Sequence, residues 1–527
     1  MVSNLRSYDI IGFGDEVYGV LSLISASREY RRRTKKFARI LLMSKGMLAQ
    51  GIGGHLVRGG LAYLDRCQVD QNLRKALNLG LFGDPAAIYQ EFLQKAGVIN
   101  IALDPRKADA ALRKMCQEAG IDLLSNVTIN SVVKDNQKLV SFVTPMGTFA
   151  AKQFIDVTVN AELAQAAGVA KHQGFETFGL PDSELPVTLV FETQGLSVRR
   201  LKELEFNLIK RFTNPNDSEA QKILLQAAGD SEALPRSADR LFAEQLRKDL
   251  IDSKGNFKTL WAGSDYIDVR CLALSISYHA FRNRKLSFNE TGIMLDKANI
   301  AVLDNNRLSW NALLFAVSGS EAETLARNSA KPTPQMLEEF SYVAKWLKSL
   351  GATAVIPAVE LYIRHCGNVL GVVQPLTGSD MLMGGVPPRE ALGTFSYHFD
   401  VRGGIPGIGI KAGALGFNSV SFPPPTFNIG IQHALIKDVA NLAVVSPASG
   451  FEGYACSAGR IVEYNCTVGQ GVGIAAVIAI LSNRNLATVG DIEVRRVLDA
   501  TGQSPRIYGF AKIADATKLE SFETLSA

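Results

Sequence analysis

The opening of the chain predicts a parallel β-sheet. Two continuous apolar runs, YDIIGF (8–13) and ARILLMSKG (38–46), flank a helical stretch, VYGVLSLISASREYRRR (17–33). Apolar runs without alternation are typical of strands that are covered on both faces, as in parallel sheets. A strand, a helix and a second strand at this spacing form a βαβ unit. The chain is therefore expected to belong to the α/β class.

Length and charge narrow the class of protein further. A chain of 527 residues is too long for one ordinary core, so two or more domains are expected. The formal net charge of +5 gives no support for nucleic acid or an anionic membrane as a partner. The late apolar run VGIAAVIAIL (472–481) is about half as long as a bilayer span requires. The expected protein is cytoplasmic, has no membrane span and takes a small-molecule substrate, with homo-oligomerisation left open.

The cysteines give no sign of a metal site or a redox pair. They are scattered along the chain and form no CxxC motif, which favours buried free thiols in a reducing compartment. They are Cys67, Cys116, Cys271, Cys366, Cys456 and Cys466.

Local signals predict the elements that follow the first unit. Asp104, Pro105 and Gly120 mark the start and end of a helix over 105–119. Residues 121–158 alternate strands with turns, which predicts an antiparallel meander that ends in a buried strand, 153–157. Further helices are expected at 201–228, 235–252 and 334–350, with strands around 185–193 and 267–277. This mixed stretch predicts a separate α+β domain inserted into the first.

The turn after the first strand is glycine-rich and has the spacing of a nucleotide-binding turn. A GxGxxG motif uses its glycines for a tight turn, for close approach to a pyrophosphate and for packing of helix on strand. If the motif starts at Gly12, its third position falls on Val17. If it starts at Gly14, its second position falls on Glu16 and its third on Gly19. The Gly14 register is preferred because the strand then fills 9–13, but one position fails in either register.

The order of several motifs resembles FAD-dependent oxidoreductases. The closest group opens DVVVYGGTPAGV, continues IGGMTSGGL, has FIDATGDGDLA after a strand meander, and carries GQAAGIAAAL near its C-terminus. The matching segments here are YDIIGFGDEVYGVLSLISA, GIGGHLVRGGL, AKQFIDVTVNAELAQAAGVA, LYIRHCGNVLG, LGTFSYHFDV, NLAVVSPASG and TVGQGVGIAAVIA. The resemblance covers nearly the whole chain. It implies a Rossmann-like, three-layer ββα fold of the glutathione-reductase type with an inserted α+β substrate domain.

The resemblance also implies domain limits and a cofactor site. An FAD-binding domain would comprise 1–180 and 401–490, with a substrate domain at 181–400 and a helical extension at 491–527. The GQGVG segment would open the last helix, where free backbone N–H groups stabilise the anionic edge of a reduced flavin. A close-packed helix with small contact residues is the alternative for that segment. The implied cofactor-binding residues are Gly12, Gly14, Gly19, Ser44, Lys45, Gly53, Gly54, Thr158, Gly469, Gln470, Gly471 and Gly473.

Four positions depart from the pattern of this family. Glu16 replaces a glycine of the turn between Gly12 and Gly19, which we call the phosphate turn. Ser44 replaces the acid that binds ribose, and Val159 and Ser446 replace glycines. Glu16 beside a pyrophosphate would be repelled unless it turns away or pairs with a base such as Lys45. Three explanations stay open: FAD in a register that uses Gly12, a smaller ligand in the retained half, or a fold that has lost its cofactor.

Four polar residues in the matched segments are the candidate catalytic residues: His55, Arg364, His398 and Arg460. On a strand, His398 and Asp400 would share a face, which could orient the imidazole. A structural hydrogen bond or an interdomain ion pair is the alternative for each. The expected function is FAD-dependent oxidation of a small organic substrate by hydride transfer to flavin. A non-catalytic relative that serves in binding or assembly is the alternative, and a nicotinamide-only enzyme explains fewer of the motifs.

Overall fold

The apolar runs at the start of the chain form neighbouring parallel strands. The computed structural model describes residues 5–229, 237–417 and 421–527. Ile10 pairs with Ile40 on one side and with Gln153 on the other, both in parallel register. The strands of the described residues are β1 (Leu5–Phe13), β2 (Ile40–Met43), β3 (Ile121–Leu124), β4 (Ser131–Asp135), β5 (Lys138–Thr144), β6 (Gly147–Asp156), β7 (Val187–Gln194), β8 (Trp261–Ala262), β9 (Tyr266–Asp268), β10 (Ile293–Leu303), β11 (Arg307–Phe315), β12 (Ala354–Pro357), β13 (Thr394–Ser396), β14 (Thr426–Asn428) and β15 (Leu442–Val444).

The helices lie between and after these strands. They are α1 (Val17–Thr34), α2 (Gly54–Val57), α3 (Gln71–Ala76), α4 (Ala87–Lys95), α5 (Pro105–Ala119), α6 (Glu162–Ala166), α7 (Val198–Thr213), α8 (Ser218–Ala227), α9 (Ser237–Asp249), α10 (Ala273–Arg282), α11 (Phe288–Thr291), α12 (Gly319–Arg327), α13 (Pro334–Ser349), α14 (Gly378–Leu382), α15 (Ile408–Ala414), α16 (Cys456–Gly459), α17 (Val462–Ser482), α18 (Asp491–Ala500) and α19 (Ile513–Ser526).

The first sheet has helices on one face and a strand meander on the other. Its order is β3-β2-β1-β6-β5-β4, and β15 pairs with the end of β6. Ile10 and Ile40 point into the core shared with α1 and α17. Phe13 points the other way and meets Phe142 of β5 edge to face, with ring centroids 6.1 Å apart. These three layers give the predicted α/β, Rossmann-like fold.

The sheet also joins distant parts of the chain. The strand β15 pairs with β6, and α17 packs along α1. The meander is antiparallel from β4 to β6, but β3 pairs parallel with β2, so the prediction of a wholly antiparallel meander is wrong at its first strand. Asp104 caps α5 and Gly120 ends it in the left-handed conformation, which confirms the helix predicted over 105–119.

A second sheet lies in the middle of the chain. Its order is β12-β7-β11-β10-β9-β8, and every pair in it is antiparallel. The strand predicted at 267–277 is wrong beyond Asp268, because residues from Ala273 form α10, most of which is buried. The helix predicted at 201–228 is two helices, α7 and α8, which are separated at Asn214–Pro215. The helix predicted at 235–252 begins at two residues that lie outside the described part of the chain. Within the described part it corresponds to α9.

One described helix, α17, is long and apolar enough to cross a membrane. Its mean hydropathy reaches 1.6 over its most apolar window, and 83% of that window is buried inside the fold. It is therefore accounted for as a core helix. The six cysteines are all buried and free. The domain limits, the cytoplasmic location and homo-oligomerisation stay predictions.

Candidate functional site

The candidate site lies where the parallel strands end. β1, β2, β6 and β15 run in the same direction, so the residues that follow them meet at one edge of the sheet. Gly14 follows β1 with φ +103°, and its N–H donates to the carbonyl of Met43 at 2.8 Å. A Cβ on Gly14 would lie 2.7 Å from the backbone of Val157. This turn therefore requires glycine for its backbone conformation and for a close approach.

The other two glycines of this turn serve packing. A Cβ on Gly19 would lie 2.2 Å from the side chain of Val157, so α1 approaches the end of β6 closely there. Gly12 lies within β1, and a Cβ on it would lie 2.6 Å from Leu23. The helix-to-strand contact that the third glycine of a GxGxxG turn provides is thus made by Gly19.

Asp15 is buried in a cluster of its own partners. Both of its carboxylate oxygens accept hydrogen bonds from Arg58, at 2.5 and 2.8 Å, and Ser44 donates to it at 2.6 Å. The N–H of Gly53 donates to it at 3.1 Å. Burial raises the pKa of a carboxyl, but Arg58, Ser44 and Gly53 together outweigh burial, so the pKa of Asp15 lies below its ordinary value.

Arg58 ties this cluster to a second carboxylate. Its Nε donates to Glu360 at 2.6 Å, so one guanidinium serves two acids. Burial raises the pKa of Glu360 to about 7, against the opposing effect of Arg58. Arg58 and Glu360 were missed by the sequence reasoning. Arg58 lies inside the glycine-rich loop, GIGGHLVRGGL (51–61). Its partner Asp15 is 43 residues away in the chain.

Glu16 joins the phosphate turn to the glycine-rich loop. Its carboxylate accepts the N–H of His55 at 3.2 Å and lies 2.5 Å from His55 Nδ1. A Cβ on Gly54 would lie 2.2 Å from that carboxylate, and Glu16 and Gly53 form a parallel backbone bridge. The suggested pairing of Glu16 with Lys45 is wrong. Lys45 pairs instead with Glu162 and donates to the carbonyl of Arg327.

The strand turn at Thr158 is held by a buried acid. Asp156 accepts the N–H and the hydroxyl of Thr158 at 2.9 and 2.7 Å, and the N–H of Ala164 at 2.9 Å. Burial raises the pKa of Asp156 to about 6 although these hydrogen bonds oppose it. Ala161, three residues on, has φ +53°, a conformation that favours glycine. Ser446 is fully buried, and its hydroxyl accepts the N–H of Ala448.

The glycines near the C-terminus do not open a helix. Gly469, Gln470, Gly471 and Gly473 lie in the middle of α17, which begins at Val462. A Cβ on Gly469 would lie 2.6 Å from the carbonyl oxygen of Tyr18 in α1. The prediction that this segment offers free N–H groups is therefore wrong. Its small residues allow two helices to pack closely, which is the alternative reading of the segment.

Two of the four candidate catalytic residues contact Tyr362. The His55 ring stacks on Tyr362 with centroids 5.0 Å apart, and the Arg364 guanidinium lies 4.5 Å from the Tyr362 ring centre. Arg460 pairs instead with Asp400 at 2.5 Å and lies over the ring of Tyr397, 5.5 Å from its centre. Tyr362 was missed although it lies two residues before Arg364.

His398 lies apart from this group. The strand β13 ends at Ser396, so His398 and Asp400 do not share a strand face, and that expectation is wrong. The side chain of His398 is 46% exposed and lies 3.9 Å from Asp400, which pairs with Arg460 instead. His398 Nδ1 contacts the Gln68 side chain.

Several buried polar atoms around Tyr362 have no partner in the described part of the chain. They are His55 Nε2, Thr188 Oγ1 and Arg364 Nε. Arg460 Nε, beside Tyr397, also has no partner among the described residues. Arg364 is 1% exposed, donates to Pro186 O and Asn311 Oδ1, and has no carboxylate within ion-pair distance among the described residues. Burial lowers the pKa of Arg364 to about 10. An arginine buried without an acid favours a negatively charged ligand.

The site has two parts, the group around Tyr362 and the phosphate turn, and they fit FAD differently. Around Tyr362, the unpartnered donors and acceptors suit the polar edge of an isoalloxazine ring or a substrate beside it. At the phosphate turn, the N–H groups of Gly53 and His55 and the guanidinium of Arg58 already bind the chain's own carboxylates. A pyrophosphate does not fit there while Glu16 keeps this position.

Comparisons with known proteins give one family match and several solved structures of low similarity. The family model "FAD dependent oxidoreductase" matches residues 38–498. Among solved structures, L-proline dehydrogenase from P. horikoshii is 10% identical, with 93% of this chain and 99% of that chain covered and a TM-score of 0.33. A geranylgeranyl bacteriochlorophyll reductase-like protein from Thermoplasma acidophilum is 9% identical, with 98% and 96% covered and a TM-score of 0.33.

A third similar structure contains the cofactor. A variant of the halogenase PltM in complex with FAD is 11% identical, with 93% of this chain and 73% of that chain covered and a TM-score of 0.36. No curated protein matches the chain. The family match covers most of the chain, and its cofactor is FAD. The chain therefore belongs to the family of FAD-dependent oxidoreductases.

Proposed function

We propose that this chain uses FAD to oxidise a small organic substrate, with a hydride passing from the substrate to the flavin. The supporting observation is the group of unpartnered buried atoms around Tyr362, on His55, Thr188 and Arg364. Each such atom costs about 1–3 kcal/mol when it is left without a partner. Three of them in one place favour a polar molecule bound there.

The charge of this group indicates the kind of substrate. Arg364 is buried and unpaired, so it can bind and orient a carboxylate or another anionic group of a substrate. His55 Nε2 is buried without a partner among the described residues, so it is the atom available to accept a proton. FAD, when bound, supplies the electron acceptor. We therefore infer a small anionic substrate.

Substrate-dependent reduction of an artificial electron-acceptor dye, with FAD supplied in the buffer, tests this proposal. Small organic acids and matched neutral analogues would be compared. We expect reduction with an acid, and we expect Arg364→Met to raise KM for it at least about tenfold, since a charged hydrogen bond is lost. Arg389→Met, whose side chain is 79% exposed, is the control. An unchanged KM in Arg364→Met would contradict the role of Arg364.

A non-catalytic relative is the second candidate. The observation that favours it is the phosphate turn, where Asp15 and Glu16 take the donors that a cofactor would use. This candidate predicts that the protein takes up no FAD and reduces no dye with any substrate. Mass analysis of ligand released from the denatured protein, after incubation with excess FAD, distinguishes it from the enzyme.

A further inference from the structure

We propose that the Glu16 carboxylate closes the phosphate turn, and that FAD binds only by displacing it, as an exchangeable ligand. The inference rests on FAD as the cofactor and not on any substrate. Glu16 is one of the four departures from the family pattern, and its carboxylate contacts the glycine-rich loop at His55 Nδ1, 2.5 Å away. It thus occupies the turn at which a GxGxxG motif would approach a pyrophosphate.

The contacts of Glu16 are those of an anion in a binding site. Its carboxylate accepts the backbone N–H of His55 at 3.2 Å and lies 2.5 Å from Nδ1 of the same residue. Only a glycine at position 54 leaves room for it, since a Cβ there would lie 2.2 Å away. The chain therefore satisfies its own anion-binding groups in the absence of a phosphate.

Asp15 and Glu16 differ in how easily they can move. Asp15 is 4% exposed, and its two oxygens are held by Arg58, Ser44 and Gly53. Glu16 contacts His55 through its side chain, and that side chain is 16% exposed. Asp15 is therefore the fixed part of the cluster, and Glu16 is the group that must turn away when a phosphate enters.

Charge sets the expected size of the effect. A pyrophosphate beside Glu16 places like charges within a few ångströms in a partly buried site, and such repulsion changes a binding constant by at least about tenfold. The Glu16→Gln side chain has nearly the same shape and no charge. It should therefore favour ligands that carry phosphate and leave a flavin without phosphate almost unaffected.

The experiment compares FAD with riboflavin. The wild type, Glu16→Gln and the control Glu91→Gln are titrated with each flavin, and quenching of flavin fluorescence gives Kd. Glu91 is a suitable control because it lies on α4, outside the phosphate turn, and also pairs with a basic residue, Arg28. We expect Glu16→Gln to lower Kd for FAD at least about tenfold and for riboflavin less than about twofold. We expect Glu91→Gln to match the wild type.

Retention of FAD on gel filtration adds a second measurement. The wild type should lose FAD on gel filtration and Glu16→Gln should retain more of it. Wild type that keeps a full complement of FAD through gel filtration would overturn the inference and leave the proposed function standing. Equal gains for FAD and riboflavin, no gain for FAD, or no flavin binding by either form would also overturn it. Thermal unfolding of each variant without flavin shows whether it is folded, and Glu16→Gly, which removes the carboxylate entirely, replaces Glu16→Gln if that variant is not.

Discussion

Gly473 of α17 lies against the backbone of Ser22 in α1, so closely that a Cβ on Gly473 would lie 2.2 Å from the Ser22 carbonyl oxygen. Gly473→Ala should therefore separate the two helices and lower the free energy of unfolding by about 1–3 kcal/mol. Urea denaturation measures this. Gly413→Ala in α15 is the control, because nothing lies within 4 Å of its Cβ position. If Gly473→Ala left stability unchanged, the packing role of this segment would be wrong.

Ala161 has φ +53° at the start of α6, where it is fully buried. Ala161→Gly should raise the free energy of unfolding by about 0.5–1 kcal/mol, because the strain of a left-handed alanine exceeds the added entropy of glycine in the unfolded chain. Ala166→Gly, at an exposed position of the same helix, should instead lower it by a similar amount. Equal effects of the two variants in urea denaturation would contradict the strain at Ala161.

Glu205 of α7 is fully buried, and burial raises its pKa from 4.5 to about 7, against the hydrogen bond from the Leu260 N–H. Between these two pKa values the folded state binds a proton that the unfolded chain has lost, so stability falls as the pH rises through this window. Glu205→Gln removes that loss. Relative to the wild type, it should be more stable at about pH 8 than at about pH 5, by about 1–3 kcal/mol.

The pH dependence of urea denaturation tests the prediction for Glu205. Glu203→Gln lies on the same helix, and its side chain is 46% exposed, so it serves as the control. A difference between Glu205→Gln and the wild type that did not change with pH would show that Glu205 keeps an ordinary pKa.

Arg58 balances two buried carboxylates, Asp15 and Glu360. Arg58→Met should lower the free energy of unfolding by about 3–5 kcal/mol, because both acids then lack a counter-charge. Addition of Asp15→Asn and Glu360→Gln to this variant should recover part of the loss. If Arg58→Met alone were as stable as the triple variant in urea, the cluster would not be held by charge.

Local signals in the sequence were sufficient where the structure depends on near neighbours. Asp104, Pro105 and Gly120 fixed the helix α5 because capping acts within one turn. The apolar runs similarly indicated a parallel sheet, since strands covered on both faces need apolar residues at every position. The same signals could not separate helix from strand at 267–277, where the apolar run is short.

The site depends on contacts between distant parts of the chain, and there the sequence was less informative. Glu16 was recognised as a departure, but its partner His55 is 39 residues away and Arg58, the partner of Asp15, is 43 away. The run GQGVG fits both a helix that faces an anion and a helix that packs closely on another. The choice between them required the position of Gly473 relative to Ser22.

The pairing of β15 with β6 and of α17 with α1 also bears on how the protein is made. Synthesis proceeds from the N-terminus, so the apolar face of α1 lacks its partner until residue 482 has been translated. The middle sheet needs only residues 187–357 and can form on the ribosome before that. The second region in the chain should thus fold before the first, and the apolar face of α1 stays uncovered by α17 for most of translation.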